Sequence, residues 1–426
     1  MPTVALQNLG CSKNQIDGER IAHLFSTAGY AIVPDFDKAD VIVVNTCAFI
    51  REAQEEAIEA ILESALMKKD GRCRKLIVSG CFSERYRECV ARDFPEVDLW
   101  AGVHDWEQLL KRELRAASFS PFKRELSETA ASQYLKIAEG CSHACTYCVI
   151  PRLRGKYRSR SVRDIIKEAQ WLESKGTREL ILVAQDTSFY GRDIGTSLSK
   201  LLEHLLKATS FPWLRLMYLH PAHVSDELLR LFASEKRLCP YFDMPLQHIA
   251  DPVLKAMNRS PLSKGIRQTV DKIRGVVPGA GLRSTFILGF PGETNAHFKE
   301  LVRFVEEIKF DRLGVFPWSP EEGTRAARLP DRPRPSVVAG RCETIMLIQR
   351  DISRELLEKK VGSTMEIIID GPSEDASSAF QGRTRFDAPE VDGKVLIKDT
   401  NCISGSMVKV KITGASDYDL FGEPIK

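Results

Sequence analysis

The feature that most constrains this chain is an alternation of short β-branched runs with amphipathic stretches. In the first hundred residues Thr3–Leu9 reads as a buried strand, and Asp40–Asn45, Lys75–Ser79 and Val97–Ala101 read as three more. Asn14–Gly29 and Glu52–Lys68 carry helical periodicity between them. Strands alternating with helices specify a parallel sheet covered on both faces. Cys11, Cys47 and Cys81 each follow one of the first three of these strands. Open α/β sheets bind ligands beyond the carboxyl ends of their strands, so three thiols far apart in sequence are expected to converge. Gly10 and Gly80 precede two of them and let the backbone turn off the strand. The competing reading is three independently buried thiols, since free cysteine is commonly buried. Cys73, Cys89, Cys239, Cys342 and Cys402 fit no such scheme and read as packing or surface residues. Cys89, in a helix after the third strand, is the best rival ligand.

A second alternation runs from Tyr134 to about Pro320. Its expected strands are Tyr134–Ile137, Glu179–Ala184, Leu214–Tyr218, Tyr241–Met244, Leu282–Leu288 and Arg312–Pro317. The helices between them are Arg163–Lys175, Leu198–Lys207, Asp226–Ser234, Ser263–Val276 and Ala296–Lys309. Six such units make a partial barrel, open on one side, with active residues at the carboxyl ends of the strands. Directly after the first of these strands comes Ala138-Glu-Gly-Cys-Ser-His-Ala-Cys-Thr-Tyr-Cys-Val-Ile-Pro151, in which Cys141, Cys145 and Cys148 have C-x3-C-x2-C spacing. Iron–sulfur clusters are usually held by four cysteines, so three thiolates leave one iron of a cubane open to bind something. Structural zinc is the alternative, with His143 as the fourth ligand, but no second C-x2-C or H-x3-H accompanies the motif. After it, Arg152, Arg154, Lys156, Arg158 and Arg160 alternate with other residues and would share one side of an extended segment. They read either as a positive wall for a carboxylate or as a solvated basic strand.

The C-x3-C-x2-C run resembles the signature of the radical S-adenosylmethionine enzymes. The resemblance implies that the open iron takes the amino and carboxylate groups of S-adenosylmethionine. Tyr147 fills the aromatic slot expected near the adenine, and Gln185 and Asp186 follow the second strand where the family contacts the cofactor's amino group. Pro245-Leu-Gln247-His248 and Leu288-Gly289-Phe-Pro-Gly-Glu293-Thr294 match later strand-end segments. The bland readings are a packed aromatic for Tyr147, a tight turn for Gly289 and Gly292, and a helix cap for Thr294. Gly10-Cys11-Ser-Lys-Asn14, Asn45-Thr46-Cys47-Ala48-Phe49 and Gly80-Cys81 resemble the N-terminal domain of methylthiotransferases. In that family the three cysteines hold a second 4Fe–4S cluster, whose open iron carries sulfide or polysulfide. Soft sulfur bridges well to iron.

Leu329-Pro-Asp-Arg-Pro-Arg-Pro335 is a proline-rich joint, followed by a helix near Val337–Lys360. Beyond Met365 the runs Glu366–Ile369, Val395–Lys398 and Met407–Ile412 suggest a small antiparallel barrel of oligonucleotide-binding shape, similar to the TRAM domain. The expected architecture is therefore a multidomain α/β protein with domains at residues 1–117, 127–360 and 363–426. From Met365 onward seven Lys/Arg stand against eleven Asp/Glu, a net of −4. An acidic barrel neutralises phosphates badly and suits a basic ribosomal protein, so RNA contact is the less favoured reading. Asp243-Met-Pro-Leu-Gln-His-Ile249 and Phe386-Asp-Ala-Pro-Glu-Val-Asp-Gly393 are similar to the family branch that modifies an aspartate of a small-subunit ribosomal protein.

That resemblance implies methylthiolation at the aspartate β-carbon, with an electron donor such as a flavodoxin or ferredoxin. A tRNA adenosine methylthiotransferase is the first alternative, and a non-catalytic iron–sulfur scaffold or electron carrier the second. The 61 basic and 58 acidic residues leave a net charge of only +3, which by itself gives no nucleic-acid signature. No apolar run approaches a membrane span, and no secretory signal is visible. Eleven cysteines at this length point to the reducing cytoplasm, where clustered thiols serve as metal ligands.

Overall fold

In a computed structural model, the structure describes residues 1–115, 120, 122–126, 131–375, 377–398 and 402–425. The expected boundaries at residues 117 and 127 lie outside them. The chain forms two compact units: Met1–Ser127 with Ala138–His143 and Cys148–Arg160, and Glu128–Ile137 with Ala144–Tyr147 and Ser161–Lys426.

The first unit is built on a five-stranded parallel sheet. Its strands are β1 (Thr3–Asn8), β2 (Ala31–Ile32), β3 (Val41–Thr46), β4 (Lys75–Gly80) and β5 (Val97–Ala101), in spatial order β2-β1-β3-β4-β5. Helix α1 (Ser12–Thr27) and α4 (Trp106–Leu114) cover one face, burying Ile21, Leu24, Phe25 and Leu110 with Val4, Val43 and Ile77. Helix α2 (Arg51–Asp70) and α3 (Cys81–Val90) cover the other, burying Ala57, Ile61 and Phe82 with Ala5, Ile42, Val44, Leu76 and Val78. Neighbouring strand residues thus serve opposite faces, as a period of two requires. Each fully buried branched side chain contributes about 1.5–3 kcal/mol. The two-residue β2 escaped the sequence reading, so Cys47 and Cys81 follow the third and fourth strands rather than the second and third. An edge strand that short carries no periodicity to read.

In the second unit the six expected strands are present and parallel: β6 (Ser132–Lys136), β7 (Glu179–Val183), β8 (Trp213–Leu216), β9 (Tyr241–Asp243), β10 (Gly281–Leu288) and β11 (Arg312–Pro317). They form two three-stranded halves, not one ladder. The halves meet at β8 and β9, where a single bridge joins Leu214 to Leu238. The covering helices follow the expected ranges within a residue or two, several started by Ser or Thr caps, at Ser161, Ser197, Ser225 and Thr294.

The last five strands close a barrel: β12 (Thr364–Pro372), β13 (Phe380–Thr384), β14 (Val395–Ile397), β15 (Met407–Ala415) and β16 (Leu420–Pro424), in order β12-β13-β14-β16-β15. It is not wholly antiparallel, because β14 and β16 pair in parallel. This barrel is clamped to the amino-terminal halves of the parallel strands. Glu179 receives Arg215 at 2.6 Å and Arg383 at 3.0 Å, and Arg312 donates to Asp387 at 2.6 Å. Tyr241 Oη donates to Asp392 at 2.5 Å, and the Phe386 ring lies over Gly281. Asp387 and Asp392 belong to the acidic segment Phe386–Gly393, so their charge is spent inside the protein and not on a docking face. Arg383 and Arg385 are spent likewise, Arg385 on the carbonyls of Lys236 and Leu238. Without these two acids and two bases, five Lys/Arg stand against nine Asp/Glu, so the net of −4 is unchanged. No described helix is long and apolar enough to cross a membrane.

Candidate functional site: two cysteine triads and their arginines

The loops after β1, β3 and β4 are laced together by amides. Asn14 Nδ2 donates to the carbonyls of Leu9 (2.7 Å), Asn45 (3.2 Å) and Thr46 (3.2 Å), while Asn45 Nδ2 donates to Asn14 O at 2.7 Å. Thr46 Oγ1 reaches Ser79 O and accepts from Phe82 N–H at 3.2 Å. These bonds bring Cys11, Cys47 and Cys81 to one end of the sheet, beside the crevice between β1 and β3 where the strand order reverses. Gly10 (φ +88°) lies so close to Cys47 that a Cβ would stand 2.8 Å from the Cys47 sulfur. Gly80 (φ +92°) has no room for a side chain against Thr46 O.

The three sulfurs sense one another electrically. Burial pushes the Cys81 thiol up to about 12, and the charges of Cys47 and Cys11 add to that. Burial also raises Cys47. Crowding around the Cys11 sulfur opposes ionisation, but Lys13, Arg154 and the first N–H groups of α1 outweigh it, and the pKa falls. Cys11 is solvent-exposed, whereas Cys47 and Cys81 are buried. One exposed and two buried thiols at one end of the sheet are a donor set that would suit a cluster with an accessible corner. Cys89 is exposed on α3, outside this convergence.

A fourth participant was not expected. Arg154 is 1% exposed and donates to Cys81 Sγ at 3.6 Å, Asn14 Oδ1 at 3.3 Å, Asp17 at 3.1 Å and Glu139 at 3.1 Å. The alternating pattern places it among five cations on one side of an extended segment. Instead Ile150–Leu153 forms a helical turn and Gly155 (φ +72°) reverses the chain, so Arg154 turns inward while Arg152, Lys156 and Arg158 stay exposed. Val149 and Leu153 pack in the same apolar cluster as Cys81 and Phe82. Gly140 (φ +77°) abuts the carbonyls of residues 154–156, and Cys141 N–H donates to Gly155 O at 3.0 Å.

Of the C-x3-C-x2-C cysteines, Cys141 and Cys148 belong to the first unit and Cys145 to the second. In the second unit Thr146 is pinned by Met257 O, Ala256 O and Ala326 N–H at 2.8–2.9 Å. The Cys145 sulfur accepts from Arg259 Nη1 at 3.9 Å. Burial works against the Arg259 charge, but Tyr147, Cys145 and Asp186 face it and raise its pKa, so these three lie around one guanidinium. Tyr147 packs with Phe290, ring centroids 6.4 Å apart. Gln185 is half-buried beside Asp186, whose carboxylate holds Ser188 Oγ (2.6 Å), Phe189 N–H (3.1 Å) and His223 Nδ1 (2.8 Å). Gln247 (φ +73°) bridges to Phe286, and Leu288 closes its strand with its carbonyl on Trp318 N–H at 2.7 Å. Gly289 (φ +76°) donates to Glu293 at 2.8 Å and leaves no space for a Cβ against Val338. The sequence offers no signal for Arg259 and presents Arg154 only as one of a row of cations, because each meets its cysteine only through the fold.

A parallel sheet ending in three converging thiols, a parallel half-barrel entered through a C-x3-C-x2-C loop and a closed terminal barrel define a three-part radical S-adenosylmethionine protein. Family models match in the same order: uncharacterized protein family UPF0004 at residues 3–102, the radical SAM superfamily at 135–305 and the TRAM domain at 361–425. A ribosomal protein uS12 methylthiotransferase RimO from Clostridioides difficile (strain 630) is 43% identical, with 99% of each chain covered. One from Geotalea uraniireducens (strain Rf4) is 42% identical over 99% of this chain and 98% of its own. The chain belongs to the RimO family of ribosomal protein uS12 methylthiotransferases. Among solved structures, the radical S-adenosylmethionine methyltransferase TsrM from Kitasatospora setae shares the fold at TM-score 0.56 and 13% identity, covering 85% of this chain and 79% of its own.

Proposed function

We propose that this chain inserts a methylthio group at the β-carbon of an aspartate in ribosomal protein uS12. The cofactors are two 4Fe–4S clusters and S-adenosylmethionine, with sulfide or polysulfide as sulfur source and a flavodoxin- or ferredoxin-like electron donor. The observation that supports this reading is the convergence of Cys11, Cys47 and Cys81 at the carboxyl end of a parallel sheet, with a C-x3-C-x2-C run following in sequence the first strand of a second parallel set, in a chain related to its family over its whole length. Cys11, Cys47 and Cys81 would hold one cluster, and Cys141, Cys145 and Cys148 the other. Tyr147, Gln185, Asp186, Gln247, Leu288 and Gly289 would line the cofactor pocket. Residues 1–117, 127–360 and 363–426 would form the three domains.

When bound, these groups supply hydrogen abstraction by a radical, which a carbon beside a carboxylate needs because it is a very poor acid. The protein's part is to bind, orient and balance charge. Asn14 and Asn45 hold the cysteine loops, Gly10 and Gly80 let them close in, and Arg259 sets a positive charge beside Cys145. A protein substrate is also favoured because Arg383 and Arg385, two of the terminal barrel's seven cations, are unavailable to phosphates.

The test is reconstituted enzyme with reductant, sulfide, S-adenosylmethionine and a uS12 peptide spanning the aspartate. Mass spectrometry should show a methylthio adduct on that residue. Modification of tRNA with an untouched peptide would overturn the proposal.

A further inference from the structure

We propose that Arg154 is a positioning residue for the cluster carried by Cys11, Cys47 and Cys81, holding Cys81 in place and setting how readily that cluster accepts an electron. The proposal rests on the ligand set above. Three observations carry it. The guanidinium is almost fully enclosed, yet one of its nitrogens is shared between Cys81 Sγ (3.6 Å) and Asn14 Oδ1 (3.3 Å). That Asn14 is the amide that ties the Cys11 and Cys47 loops together. The other terminal nitrogen is held by Asp17 and Glu139, which fix its direction. A fixed positive charge beside a thiolate ligand stabilises the reduced, more negative cluster. Hydrogen bonds to sulfur and net local charge are established levers on cluster potential. Arg154 also lies six residues after Cys148, so the segment that leaves one cluster loop buttresses the ligands of the other.

The experiment uses the full chain with Cys141, Cys145 and Cys148 replaced by alanine, reconstituted anaerobically. Iron content and the midpoint potential, read by electron paramagnetic resonance during a dithionite titration, are compared across Arg154 variants. Arg154→Gln should keep about four irons while its reduction equilibrium shifts at least tenfold toward the oxidised form, about 59 mV for one electron. Arg154→Lys should recover part of the shift. Arg154→Met combined with Asp17→Asn and Glu139→Gln leaves no stranded carboxylate, guards against misfolding, and should return the midpoint to or above the parent value. Unchanged midpoints in variants that hold iron would overturn the proposal. Failure of the parent itself to bind iron would instead overturn the ligand assignment.

Discussion

Among the described residues Arg154 and Arg259 donate hydrogen bonds to cysteine sulfurs, and they are bonded in opposite ways. Arg154, in the first unit, has its fork committed to two carboxylates, an amide and Cys81. Arg259, in the second, is half-buried; among the described residues its guanidinium bonds only Pro245 O (2.6 Å) besides Cys145, and its Nε has no hydrogen-bond partner. The first is built into its surroundings before anything binds. The second keeps donor capacity beside Tyr147 and Asp186. On the proposed ligand assignment, the difference would separate a charge that shapes a permanent fixture from one that stands where small molecules come and go.

The largest effect expected is chemical. Cys81→Ala and Cys145→Ala should each abolish methylthio transfer by more than about 1000-fold and cut iron from about eight to about four per chain. They should differ in one product: Cys81→Ala still cleaves S-adenosylmethionine under reduction, and Cys145→Ala does not. Equal cleavage in both would erase the distinction between the triads. Next comes stability. Arg154→Ala takes the guanidinium away from Asp17 and Glu139 and should cost about 3–5 kcal/mol in urea unfolding of the apo chain. Arg259→Ala strands no carboxylate and should cost about 1 kcal/mol. A reversed order would break the comparison.

A smaller effect depends on pH. In the second unit His248 is fully buried, and burial, with His297 and Arg341 nearby, lowers its pKa to about 3. The unfolded chain takes up that proton near pH 6.5, so stability is full above that pH and declines as pH falls toward the folded value. Between pH 7 and 5.5 the loss should be about 1 kcal/mol, and His248→Gln should flatten the profile. The smallest is at a helix start. Thr294 caps its helix reciprocally with His297, and Thr294→Ala should lower stability by about 1 kcal/mol in thermal unfolding.

Much of this was legible in the residues. Strands of six β-branched and apolar residues announce themselves, and the cysteines sit where such strands stop. Their convergence follows from topology alone. The role of Arg154 could not be read, because Asp17 is 137 positions away and the alternating basic pattern assumed an extended backbone, where Ile150–Leu153 forms a helical turn and Gly155 takes φ +72°. The interior ion pairs of the terminal barrel were hidden for a related reason. Counting treats every carboxylate as surface, yet Asp387 and Asp392 face Arg312 and Arg283 in the interior. The β14–β16 pair was hidden because Leu420–Pro424 is short and contains glycine.

The ionic clasp around Glu179 has a practical consequence for anyone cutting the molecule apart. A fragment ended near residue 362 would be left with Arg312 facing no Asp387, and Tyr241 and Arg283 facing no Asp392. The final module is thus a keystone of the catalytic half, and shortened versions should misbehave for reasons unrelated to substrate capture.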